Sequence, residues 1–125
     1  MSEIQTSLLI VALLYLLLGS GMALSVRRIQ QGKTKVNGWI GIRTPATLKS
    51  QQAWDAGHRN ALPHFRLGSI ILIVGAFVLV VLAVIDVPDW LGVTVVLTVM
   101  AFTVGNMIYA AITASAAARR VSPNS

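Results

Sequence analysis

Asp55 and His58 stand three residues apart, and His64 follows beyond Pro63. A carboxylate and an imidazole at i, i+3 share one side of a helix, where a proton or a metal ion could be held. Nothing in the spacing brings His64 into convergence with them, so the expected role is an ion pair or hydrogen bond, and no metal site is expected. There is no pair of acids within an apolar run or the polar loop, and no phosphate-cradling glycine pattern. No general base is evidently placed beside a serine or threonine. The chain has no cysteine, which excludes disulfides, thiolate metal sites and a cysteine nucleophile. Neither an enzyme nor a cofactor is expected.

The residues that do stand out run from 37 to 47: Asn-Gly-Trp-Ile-Gly-Ile-Arg-Thr-Pro-Ala-Thr. Asn37-Gly38 is a turn signal. Gly41 permits a positive φ or a close backbone approach. Thr44 before Pro45 is disfavoured in a helix. The stretch 36–46 therefore reads as an ordered loop or a re-entrant turn. Arg43 offers five donors in a fixed fork. Two roles stay open for it: tying the loop to helix ends, or holding a carboxylate, a phosphate or several carbonyls of a ligand. A second polar residue, Asn106, lies inside an apolar run. Its expected role is an interhelical hydrogen bond, with ligand contact or transport as the alternative.

The elements that must position these residues are dictated by composition. Of 125 residues, 55% are hydrophobic and 11% charged, with a mean hydropathy of +0.74. Soluble domains carry about 25% charged residues. Three uncharged runs, 4–26, 67–85 and 90–118, are each long enough to cross a hydrocarbon core of about 30 Å as helix. The stretch 8–18 does not alternate apolar with polar, which excludes barrel strands. The expected fold is all-α, a multi-pass integral membrane protein in a single domain, 1–125. Its helices are expected at about 4–26, 65–85 and 90–113, with a structured loop over 27–64.

The net charge of +6 could suggest nucleic acid, but its distribution points elsewhere. All ten Lys and Arg lie between Arg27 and Arg66 or at Arg119 and Arg120, while Glu3, Asp86 and Asp89 occupy the other places. The positive-inside rule produces this split in short loops. It predicts a membrane protein with the N-terminus outside and the loop and C-terminus cytoplasmic. No direct contact with nucleic acid is expected. The first run is expected to stay attached, since no cation precedes it and two follow it.

Within this frame, Thr47 or Ser50 can cap a short helix at roughly 48–61, lying on the inner leaflet with Trp54 as its interfacial anchor. Pro63 suits the start of the second span or the turn before it. Gly19 and Ala23 form a small pair that lets another helix approach, within the chain or in a homo-oligomer. Asn106, Ala110 and Ala114 form a similar stripe on the third helix.

The pattern Lys35-x-Asn37-x-x-Ile40-Gly41-Ile42-Arg43-Thr44-Pro45-x-Thr47-Leu48, followed by Trp54 and His58, resembles the signature of the sporulation-delaying-protein immunity (SdpI) family. The resemblance covers roughly 33–113. In the family's founding type the corresponding part follows further membrane helices, whereas a single helix precedes it here. The resemblance implies protection against a secreted, membrane-active peptide toxin, and signalling in which a soluble transcriptional repressor is held at the membrane. It carries Asn37, Gly41, Arg43, Thr44, Thr47 and Trp54 over as motif residues. The alternative expectation is a small oligomeric transporter or lipid-handling subunit, drawing on Asn106 and the threonines of the third helix.

Overall fold

The computed structural model describes residues 1–32 and 41–121. Three helices follow in order: α1 (Glu3–Gln30), α2 (Gln51–Ile85) and α3 (Asp89–Arg119), with a 3-10 turn at Thr47–Lys49 before α2. All three are long and apolar enough to cross a membrane. Ser2 caps α1 through a reciprocal pair with Gln5, which satisfies two free amides at its start. Asp86 ends α2 in the left-handed region, at φ 55°. Asp tolerates that conformation, and α3 starts three residues later, so α2 and α3 are antiparallel neighbours.

α2 is the central helix. Its buried residues Trp54, His58, Ala61, Phe65, Gly68, Leu72, Gly75, Leu79 and Ala83 recur every three or four positions, one stripe along the whole element. The stripe runs through Pro63, which lies inside the helix. The expected break between a short surface helix and the second span is absent: 51–85 is one 35-residue helix. Proline removes one hydrogen bond from a helix, and here the packing on both sides carries the helix past it. α3 likewise continues beyond 113, to Arg119.

Small residues set the helix spacings. A Cβ on Gly19 would lie 2.8 Å from Ile73 and 3.2 Å from the Ser69 carbonyl oxygen, and Ser69 Oγ donates to Gly19 O at 2.8 Å. Gly19 thus serves packing within the chain, while Ala23 is exposed. One apolar cluster, built on Leu8, Ala12, Tyr15, Leu72, Ala76, Leu79 and Ala83, fills the half away from the cations. There Tyr15 donates to Val96 O at 2.8 Å and bridges α1 to α3. A second cluster joins Val26 and Ile29 of α1, Ala61 and Phe65 of α2, Ala110 and Ala114 of α3, and Ile42 from the loop. The loop therefore enters the core at the basic end instead of lying over it.

Candidate functional site

The segment 41–50 is held chiefly by the side chains of Thr44, Thr47, His58 and Ser115, and each has an identifiable task. Gly41 takes φ +107°, a conformation open to glycine and strained for other residues. A Cβ there would stand 2.7 Å from His58 Nε2 and 3.0 Å from the Trp54 ring. The backbone thus passes directly over two buried rings. The next residue, Ile42, is buried, and its amide donates to His58 Nε2 at 3.0 Å.

His58 is 2% exposed. Its Nδ1 lies 2.8 Å from Trp54 O, a carbonyl that can only accept. Nδ1 therefore carries the proton, and Nε2 is the acceptor that receives the Ile42 amide. The ring is neutral. His58 lies in the polar stretch of α2 ahead of the uncharged run that starts at 67. Burial pushes its imidazole below the usual histidine range, and the bond to Trp54 O and the Asp55 carboxylate only partly offset this. Both ring nitrogens are engaged, and Asp55 accepts from Gln51 at 2.9 Å. The Asp55–His58 pair is thus occupied in structure, and His58 has no nitrogen lone pair left for a metal.

Thr47 is fully buried and acts as a hub. Its hydroxyl donates to Ile42 O at 2.7 Å and accepts from the Thr44 amide at 3.0 Å. Ser115 of α3 donates to Thr44 Oγ1 at 2.8 Å. Ser50 caps α2 by accepting from the Ala53 amide at 3.0 Å. Gly57 lets the turn and α3 close on α2, since a Cβ there would meet Thr47 Cγ2 at 2.8 Å and Ala114 O at 3.1 Å.

Trp54 departs from the sequence expectation. It is 1% exposed and its ring lies against His58, with centroids 4.2 Å apart. Its Nε1 is buried with no hydrogen-bond partner among the described residues. The indole fills space beneath the loop and anchors nothing at a surface. Folding the loop onto α2 is what covers it, and composition alone does not show that closure.

Arg43 is the exception among the described motif residues. It is exposed and has no hydrogen bond or ion pair among the described residues. Its neighbours Ile42 and Thr44 are both fixed, so the backbone at Arg43 is held while its guanidinium has no partner among the described residues. Of the two roles left open for Arg43, the tie between loop and helices is carried by His58, Thr47 and Ser115. Asn37, and the part of the loop on which a re-entrant path would turn, lie outside the described residues.

Asn106 stands apart from this group. Its Nδ2 donates to His64 O at 2.8 Å, the expected bond between helices. Ala110 and Ala114, further along the stripe, are fully buried. The hydroxyls of Thr94, Thr98 and Thr113 donate to carbonyls of α3 itself. Sequence reasoning gave His58 an ion pair or hydrogen bond without naming the loop as its partner, and it missed Ser115. The signal for His58 was available in its place on the three-four stripe with Trp54 and Ala61.

Comparison with curated proteins and with solved structures gives no match. A family model described as the SdpI/YfhL protein family matches residues 33–112, which contain the loop, α2 and most of α3. On that match, which covers well over half of its length, the chain belongs to the SdpI/YfhL family.

Proposed function

We propose that this protein is an SdpI-type protein of the bacterial cytoplasmic membrane, with three spans, that presents Arg43 from its cytoplasmic end to an acidic group on a partner. The service is immunity to a membrane-active peptide toxin, signalling through a soluble protein such as a transcriptional repressor, or both. The observation that carries the reading is the contrast within one loop. Gly41, Ile42, Thr44 and Thr47 are consumed in holding it, while Arg43 is displayed without a partner among the described residues. A guanidinium on a fixed backbone loses little freedom when it meets a carboxylate or phosphate. Transport or lipid handling is less well supported, because Asn106 already bonds His64 O across two helices and the hydroxyls of Thr94, Thr98 and Thr113 already donate to backbone carbonyls.

The test is survival of cells lacking the protein under challenge with membrane-active bacterial peptides, alongside crosslinked capture of cytoplasmic proteins. Wild type and Arg43→Ala are supplied back at matched membrane levels. Rescue or capture by wild type and loss of it with Arg43→Ala is the expected result. Survival and capture unchanged by both deletion and substitution would reject the proposal.

A further inference from the structure

The bond from the Ile42 amide to His58 is the contact through which α2 holds the backbone immediately before Arg43. Its acceptor is a ring nitrogen that can take a proton, unlike the carbonyls and hydroxyls elsewhere in the loop. We propose that this joint is a proton-operated release: one proton on His58 Nε2 frees the loop that carries Arg43. The proposal deepens the reading above by naming a control on Arg43, and it rests on that reading only for the consequence of release.

The geometry leaves no intermediate position. With Nδ1–H committed to Trp54 O at 2.8 Å, a proton on Nε2 would turn it into a second donor. It would then face the Ile42 amide, also a donor, across 3.0 Å. Gly41 lies over the same nitrogen, close enough that a Cβ could not fit, so the ring has no room to turn toward another acceptor. A charged ring at 2% exposure would also be cut off from water. Parting of the loop from α2 relieves both conditions. Ile42 then leaves the cluster at the basic end, and its carbonyl leaves Thr47.

The charged surroundings favour release over retention. Among the described residues on the packed elements, Asp55 is the one acid near His58, and it raises the ring's affinity for a proton. The cations Arg27 and Arg28 on α1, Arg43 and Lys49 on the loop, Arg59 and Arg66 on α2, Arg119 at the end of α3 and Arg120 just beyond it are all exposed. The inner part of α3 packed here contributes Ala110, Ala114 and Ser115, none of which titrates. No acid beyond Asp55 is placed among the described residues to hold a charged ring in position.

The experiment uses the full chain in lipid nanodiscs, with nitrogen-15 histidine spectra and hydrogen exchange at the Ile42 amide. At about pH 7.5, His58 should show the neutral form protonated on Nδ1, and the Ile42 amide should be protected. On acidification to about pH 5, protection should fall at least about tenfold after correction for intrinsic exchange, in step with the His58 titration. His58→Gln can accept from Ile42 but cannot titrate, so its protection should not respond to pH. Constant Ile42 protection in the wild type, or an Nε2–H tautomer at neutral pH, would overturn the proposal. So would an equal acid loss in His58→Gln. Should His58→Gln fail to fold, the wild-type tautomer and exchange profile decide alone. Arg43→Ala should keep the full acid response, so a failure of the partner reading is seen separately in survival and capture.

Discussion

Ser115 near the end of α3 donates to the hydroxyl of Thr44, 71 residues earlier, at 2.8 Å. From Thr44 the hydrogen bonds pass to Thr47 and on to the Ile42 carbonyl, while the Ile42 amide turns to His58 on α2. Residues on both sides of Arg43 are thereby fixed to two different helices. Lys49 adds a contact to Val121 O at 3.0 Å, which joins the turn to the chain just beyond α3. This arrangement separates residues that hold the loop from the residue it displays, and the two groups should respond differently to substitution.

Thr47→Val keeps the shape and removes the hydroxyl. It would leave the Ile42 carbonyl and the Thr44 amide without their partner in a buried place. The expected loss is about 2–4 kcal/mol of stability, since each unpaired buried group costs about 1–3 kcal/mol. Thr47→Ser keeps the bonds and should lose about 1 kcal/mol for the missing methyl. Reversible unfolding in mixed detergent micelles measures both.

Gly57→Ala and Gly21→Ala form a matched pair. The added methyl at Gly57 meets Thr47 Cγ2 at 2.8 Å and Ala114 O at 3.1 Å, whereas Gly21 has nothing within 4 Å. Gly57→Ala should destabilise by about 1–3 kcal/mol through overpacking. Gly21→Ala should be neutral or gain up to about 1 kcal/mol from helix propensity. The difference between their unfolding midpoints is the quantity to compare.

Asn106→Ala removes the bond to His64 O and should cost about 0.6–1.7 kcal/mol, the range for hydrogen bonds between membrane helices. Survival under peptide challenge should persist once protein level is matched. A loss of function at normal stability and level would instead point to a ligand at Asn106.

Stability should depend on pH through His58. Its folded-state affinity for a proton is below that of the unfolded chain, whose reference value is 6.5. The native state therefore binds fewer protons, and stability rises with pH in this region. The stabilising contribution is fully present above 6.5 and is lost as pH falls through the lower, folded-state value. Unfolding midpoints measured downward from neutral pH should drop in the wild type and drop less in His58→Gln.

Much of the architecture was legible because it rests on long-range regularities. Uncharged runs placed three helices long and apolar enough to span a membrane, and the spacing of Asn106, Ala110 and Ala114 marked a contact face. Pro63 was read as a boundary because a proline lacks a helix donor. The stripe of Trp54, His58, Ala61, Phe65 and Leu72 crosses it, and this tertiary packing outweighed the local signal. Within the motif, Gly41 could be read as a close approach from its type alone. That Trp54 is buried, that His58 accepts a backbone amide, and that Ser115 reaches Thr44 all depend on the loop closing onto two helices. The three-four spacing marks Trp54 and His58 as one face of a helix, but residue types do not announce that this loop, and not a membrane surface or another helix, covers that face.

The division between holding and displayed residues is tested most directly by the stability of Arg43→Ala, measured beside Thr47→Val in the same micelles. Arg43 is exposed and without a partner among the described residues, so Arg43→Ala should unfold within about 0.5 kcal/mol of wild type, as surface substitutions do. A loss comparable to that of Thr47→Val would contradict the account, because it would make Arg43 one of the residues that hold the loop.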